Sequence, residues 1–433
     1  MQRSKRIFSV ESPHEISIKM LTWAAQFDTH LWLDSNDYQP RLGSYDALLA
    51  VGVHSRIDSN YPGAFDALQA FHSETKDWLF GYLSYDLKND TEQLHSFNTD
   101  GLAFPELFFF QPQKIWLLKG NQFEAHYIID GEIDSDWDSI LQTEDKQTAG
   151  NCNDLSLQPR ISKEEYIEKV TQLLQHIHRG DIYEVNFCME WFSKGTPIHP
   201  LETFQSLNEL SKPPFAAYFK DGDRYVLSAS PERYLRKEKD NLFSQPIKGT
   251  APRSDLKIQD KQLATDLQSN AKERSENIMI VDLVRNDLSK TAIPGSVKVA
   301  ELCETYSFKQ VHQMISTVTS KLHPNFSSID AIKTTFPMGS MTGAPKLRAM
   351  ELIEEYERSK RSVYSGAIGF LTPQGDFDFN VVIRSILYNA SNQYVSFQVG
   401  SAITSNSTPE NEYQECLLKA KAMHAVLTKS IAT

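Results

Sequence analysis

Near the C-terminal end, three runs of strand-forming residues follow one another with only turn-sized gaps: residues 367–371, 377–387 and 394–399, separated by Thr372-Pro373-Gln374-Gly375 and Asn389-Ala390-Ser391-Asn392. Strands joined by such short connections lie antiparallel, because a parallel crossover needs roughly a dozen residues. The chain obeys the same grammar up to about residue 130. There Leu31-Trp32-Leu33-Asp34-Ser35, Leu48-Leu49-Ala50-Val51, Trp78-Leu79-Phe80-Gly81-Tyr82 and Lys114-Ile115-Trp116-Leu117-Leu118 are rich in aromatic and branched residues. Strand runs and helix runs are grouped rather than alternating, which predicts an α+β fold and not a doubly wound parallel sheet.

A chain of 433 residues with 40% hydrophobic content can bury a large core. Residues 131–159 turn polar and acidic, with Asp134, Asp136, Asp138, Glu144 and Asp145, and read as an exposed connection. That places a boundary near 150 and divides the chain into 1–150 and 151–433. A helix follows, with Ser162 as N-cap, Glu165 completing a capping box, Tyr166, Val170, Leu173, Leu174 and Ile177 at helical spacing, and Gly180 as its stop.

The net charge of −12 leaves no basic stripe for a nucleic-acid backbone. Acidic residues and Pro13 interrupt any apolar leader after Arg3, Lys5 and Arg6, and no run approaches a membrane span, so a cytoplasmic location is expected. Cys152, Cys188, Cys303 and Cys416 form no CxxC pair, which speaks against a zinc site or a disulfide framework. None has the flanking glycines of a nucleophile turn.

Lys248 lies in Pro246-Ile247-Lys248-Gly249-Thr250-Ala251-Pro252-Arg253, a segment stiffened by two prolines, with a glycine that permits close approach. Such a segment can present an amine as nucleophile, or it can be a surface turn. An ordinary lysine, with a pKa of ~10.4, is about one part in a thousand free amine at neutral pH, so attack requires burial or a base. Two predicted helices carry carboxylates three residues apart, Glu273 with Glu276 and Glu412 with Glu415, the second capped by Thr408 and begun by Pro409. Together they suit Mg²⁺; singly, each is a solvated helix face. Gly339-Ser340-Met341-Thr342-Gly343-Ala344-Pro345-Lys346 precedes a helix whose free amides would favour an anion, or is a plain junction. Arg384, within the run 377–387, takes either a ligand carboxylate or an internal salt bridge. Ser230-Pro231-Glu232 supplies an acid after a predicted strand, and His312 reads by default as a core histidine.

Taken in order, Ser230-Pro231-Glu232, the 246–253 segment, Glu276 with Val281-Asp282-Leu283-Val284-Arg285-Asn286-Asp287, the 339–346 segment and residues 412–421 resemble the signature of the chorismate-utilising enzymes. Leu33-Asp34-Ser35 and Gly81-Tyr82-Leu83-Ser84-Tyr85-Asp86 resemble, more weakly, the first region of their anthranilate and aminodeoxychorismate synthase large subunits. The resemblance implies one composite unit of two facing antiparallel sheets with helices outside and the site in the cleft between them, so that the boundary near 150 separates halves of one unit rather than independent domains. It also implies Lys248 as nucleophile toward C2 of the chorismate ring, Glu232 as general acid for the C4 hydroxyl, and His312 as a further donor to that hydroxyl. Mg²⁺ would be held through Glu276 and Glu415, with Glu273 and Glu412 nearby. Thr250, Gly339, Thr342, Tyr364, Arg384 and Gly400 would bind substrate.

Lysine at 248 and Asn277 resemble the aminodeoxychorismate synthase branch, where anthranilate synthases carry alanine and histidine. That branch implies ammonia as second substrate, delivered by a separate glutamine amidotransferase subunit, and a place in 4-aminobenzoate and folate synthesis. An anthranilate synthase component, or a silent chorismate-binding subunit, would share most of these motifs. Glu184 departs from the pattern: isochorismate and salicylate synthases place a water-activating lysine there, and the resembling branch more often has glutamine. Ser401-Ala402 replaces a glycine-richer loop.

Overall fold

The computed structural model describes residues 3–38, 45–144, 155–309 and 311–428. The strands form one hydrogen-bonded ladder folded into two layers. The first layer runs through Glu184–Lys194, Tyr394–Thr404, Ser385–Asn389, Arg224–Ser230, Phe215–Asp221 and Thr29–Asp34. Two strands of 13 residues each, Ala47–Ser59 and Leu107–Lys119, carry the ladder around the turn. The second layer continues through Leu79–Leu83, Ala367–Leu371, Phe377–Val381, Arg233–Glu238, Asn241–Gln245 and Val311–Lys321. All these ladders are antiparallel, as the short connections require.

Alternation along each strand decides what it packs against. Leu31, Phe219 and Val226 join the core between the layers, where Tyr82 meets Phe219 edge-on at 5.3 Å between ring centroids. Their neighbours Trp32, Tyr218 and Leu227 face outward, under the helices Pro13–Ala24, Lys163–Arg179, Pro200–Ser211 and Pro409–Leu427. The helices Ala64–Thr75 and Ser328–Thr335 add Phe65, Leu68, Ile329 and Ile332 to the inner core. The α+β fold with facing antiparallel layers and outer helices is therefore as expected.

Local expectations fare unevenly. Ser162 Oγ accepts the Glu165 amide at 3.2 Å and Gly180 ends that helix at φ 88°. The Glu165 carboxylate does not close the box; it accepts from Arg358 Nε at 3.1 Å. The polar stretch 131–159 is more than a connection, for it contains the helix Ile133–Gln142, whose Ile133 and Ile140 are buried. The rest of that stretch, including Cys152, lies largely outside the described residues. Thr408 occupies the N-cap position of the last helix without a side-chain capping bond.

The run 377–387 is two strands, not one. Phe377–Val381 belongs to the second layer and Ser385–Asn389 to the first, so residues 382–384 carry the chain from layer to layer. Arg384 sits in the crossing at φ 52°, a left-handed conformation that a residue with a Cβ seldom adopts. Of the expected reduced cysteines, Cys188, Cys303 and Cys416 are free and buried. No helix among the described residues is long and apolar enough to cross a membrane.

Candidate active site

The strand Ile247–Pro252 pairs with Val311–Lys321, but the register slips between Ile247 and Thr250. A slip of this kind bends the strand and re-aims the side chain at it. Gly249, at φ 88°, makes it possible: a Cβ there would lie 3.0 Å from Glu273 Oε2 and 3.1 Å from a Leu267 methyl. Lys248 is thereby turned into a cleft of about 960 Å³ that opens between the strand Ile247–Pro252, the helix Ala271–Ser289 and the helix Pro409–Leu427. Its Nζ donates to Glu184 Oε1 at 2.8 Å. Burial works against the ammonium, yet Glu184, Glu276 and Glu232 outweigh it and hold the amine above the ordinary lysine value.

Glu232 follows the strand Arg224–Ser230, and Ser230 Oγ accepts its amide at 3.2 Å. Burial pushes its carboxyl up to about 7, against the opposing pull of Ser340 and Lys248. Glu276, on the helix Ala271–Ser289, is likewise pushed up to about 7 by burial, with Lys248 and Lys272 opposing; its buried Oε1 has no hydrogen-bond partner, and Lys272 Nζ is 3.8 Å away. Glu415 is half-exposed and paired with Lys419 at 2.7 Å. Burial would raise its carboxyl, but Lys419 and Lys248 hold it below the ordinary value. Glu273, Thr250 and Tyr364 also line the cleft.

Arg384 reaches the same cleft from the layer crossing. Among the described residues its guanidinium has no hydrogen-bond or ion-pair partner, so the internal salt bridge is not formed. Burial depresses its basicity; Tyr364 and Glu415 offset this only in part. A guanidinium left so has the donor geometry that suits a carboxylate. Gly400 lines the same cleft and has no room for a side chain, since a Cβ would meet Cys188 Sγ at 2.5 Å and the Phe187 carbonyl at 2.9 Å.

Several expected residues are not brought to the cleft. His312 faces away from it, whereas Val311 and Gln313 on either side line it. Both imidazole nitrogens are committed, Nδ1 with Ser307 Oγ at 2.8 Å and Nε2 with Asp260 Oδ1 at 2.9 Å, so the structure supports a structural role and not proton donation to substrate. Gly339 and Thr342 are buried beneath the lining; the Gly339 Cα packs on Leu283 and Thr342 Oγ1 donates to the Gly339 carbonyl at 3.2 Å. Glu412 is buried one turn before Glu415, outside the cleft. The helix Lys346–Tyr356 does not offer its first turn to the cleft, and Lys346 pairs with Asp287 and the carbonyls of Thr335 and Pro337. The sequence reading missed Ser340, which sits between two residues it chose, and Lys419, four residues after Glu415. It also left Glu184 without a role.

For a divalent ion the donor chemistry fits. Glu276 offers a buried oxygen that accepts no hydrogen bond, and Glu273 and Glu415 line the same cleft. No three histidines, cysteines or carboxylates among the described residues are gathered closely enough to hold an ion alone. An ion here would need substrate oxygens as well, which suits Mg²⁺.

An unpaired guanidinium, an amine and an acid poised near neutrality line one cleft, the groups an enzyme site is built from. The chain belongs to the chorismate binding enzyme family, whose pattern matches residues 30–425. It is 32% identical to aminodeoxychorismate synthase component 1 of Bacillus subtilis over 397 residues, covering 84% of this chain and 83% of that protein. It is also 32% identical to anthranilate synthase component 1 of Thermus thermophilus over 354 residues, covering 80% and 76%. Anthranilate synthase component I of Streptococcus pneumoniae superposes with a TM-score of 0.74 at 27% identity, covering 89% of this chain and 94% of that one.

Proposed function

We propose that the chain is the chorismate-converting component of an aminodeoxychorismate synthase, a transferase that replaces the C4 hydroxyl of chorismate by an amino group on the way to 4-aminobenzoate. The observation that carries this reading is Lys248, an amine aimed into the cleft with Glu232 held near neutrality beside it. In this reading the Nζ lone pair attacks C2, the two ring double bonds each shift by one position, and the C4 oxygen leaves as water with the Glu232 proton. Ammonia then adds at C4, the double bonds return, and Lys248 is expelled. Arg384 takes the ring carboxylate. Glu276 and Glu415, with Glu273, would hold Mg²⁺, which when bound would offset the negative charge of carboxylates and substrate.

The ammonia comes from a glutamine amidotransferase subunit in the same cytoplasmic compartment; the component numbering of the relatives supports a two-part enzyme. Because the carboxylates keep Lys248 protonated at rest, attack draws on the small free-amine fraction.

The test is product analysis with chorismate, Mg²⁺ and ammonium. 4-Amino-4-deoxychorismate is expected, passing to 4-aminobenzoate when a downstream lyase is added. The similarity to anthranilate synthase component 1 favours a second reading, in which ammonia adds directly at C2. Fluorescent anthranilate as the product would establish that reading instead. Lys248→Ala should lose at least about a hundredfold in turnover while its circular dichroism is unchanged, the scale expected for a lost nucleophile.

A further inference from the structure

We propose that Glu184 is a positioning residue, the resident counterion of Lys248, which aims the amine at the ring and stabilises the positive charge that Nζ carries once it is bonded to carbon. The inference rests on the covalent reading above. Three carboxylates act on Nζ, those of Glu184, Glu276 and Glu232, yet it hydrogen-bonds Glu184. That choice leaves Glu276 Oε1 without a hydrogen bond, with Lys272 at 3.8 Å, and Glu232 available as an acid.

Glu184 is held rigidly for the task. It opens the strand Glu184–Lys194, pairs with Thr404 on one side and Ala344 on the other, and is 1% exposed. Gly343 packs so closely that a Cβ there would lie 2.2 Å from the Glu184 carbonyl oxygen. The second carboxylate oxygen, Oε2, is buried without a partner, so no structural network among the described residues accounts for a charge at this point. Its one bonded neighbour is the nucleophile.

The chemical step balances without any proton passing through Glu184. The Nζ lone pair forms the bond to C2, the nitrogen becomes cationic, and the C4–O pair leaves with the proton of Glu232 as water. When ammonia forms its bond to C4, the C2–N pair returns to Nζ and the new ammonium gives its extra proton back to Glu232. A carboxylate 2.8 Å from the nitrogen opposes no proton transfer in this sequence and stabilises the charge that develops. The same carboxylate stabilises the resting ammonium, so it has two effects of opposite sign: less free amine, and an easier attack by what there is.

Glu184→Gln separates them, with Glu184→Asp as the conservative control. In ligand-free protein, acylation of Lys248 by acetic anhydride at pH 8, read by peptide mass spectrometry, should be about tenfold or more faster in Glu184→Gln, the equivalent of about one pKa unit. Equal or slower labelling overturns the inference. With chorismate, Mg²⁺ and ammonium, kcat of Glu184→Gln should nevertheless be about tenfold below wild type at pH 9, the KM for chorismate staying within about threefold, and the ratio of variant to wild type should fall as pH rises from 6 to 10. Glu232, Glu273, Glu276, Glu415, Lys212, Lys272, Lys419, Lys421 and Arg384 face the cleft in both proteins; the charge of Glu184 also raises the Glu276 carboxyl, so the labelling arm, which reads Nζ itself, is scored separately from the ratio. Glu184→Asp should recover part of the loss. A ratio that is flat with pH, or a variant at least as fast as wild type at pH 9, overturns the inference. Wild type that makes no aminodeoxychorismate defeats the functional reading instead, and the labelling arm then decides the pairing alone.

Discussion

Two arginines of this chain, Arg361 closed inside the protein and Arg384 half-buried at the cleft, are treated in opposite ways. Arg361, 1% exposed, makes a bidentate pair with Glu357 at 2.6 and 3.0 Å. It also donates to the carbonyls of Met341 and Asn186, each at 2.7 Å, and lies over the Tyr85 ring at 4.5 Å. Arg384 has no such partner among the described residues and faces the cleft. The first is a structural cation, closed on itself; the second is left incomplete, and in the proposed function the ring carboxylate completes it. Lys346 and Lys248 repeat the contrast, since Lys346 is bound by Asp287 and two carbonyls whereas Lys248 lies at the cleft with a single bonded partner.

The contrast can be broken most forcefully at the closed site. Arg361→Ala should cost about 3–5 kcal/mol of stability in urea unfolding, because Glu357 would remain buried and uncompensated. Arg384→Gln should leave the urea midpoint unchanged or higher, while raising KM for chorismate by about tenfold to a hundredfold, the worth of a charge-assisted hydrogen bond. Loss of stability in that variant, with KM intact, would put both arginines in the structural class.

A pH series sharpens the picture for Glu232. With free ammonia held constant, kcat/KM should rise about tenfold per pH unit below about 7, as free Lys248 amine grows while Glu232 stays protonated. It should level off above about 7, where Glu232 loses its proton as fast as the amine appears. A rise that continues unbroken to pH 9 would exclude Glu232 as the acid. The smallest effect belongs to His312: His312→Asn should keep kcat within about threefold, because the ring is committed to Ser307 and Asp260 away from the cleft.

What could be read in the sequence follows from what is local. Turn chemistry at 372–375 and 389–392 exposed the antiparallel order, and the five ordered motifs exposed the family. The break at Arg384 was hidden, because Val381-Val382-Ile383 are strand formers whether or not the chain changes layer there. His312 was misassigned for a related reason: period-two alternation says that His312 and Gln313 face opposite sides, not which side holds the cleft. Glu184 looked like an unexplained departure until the fold brought it within 2.8 Å of a residue 64 positions away.

The ladder itself has a practical corollary. Thr29–Asp34 finds its partner in Phe215–Asp221, and Ala367–Leu371 finds its own in Leu79–Leu83. A chain cleaved between Ile133–Gln142 and Gln158–Pro159 would therefore yield two fragments with interrupted sheets, each supplying the missing inner strands of the other. Such fragments are natural halves of a complementation pair, and turnover regained on mixing would report their reunion.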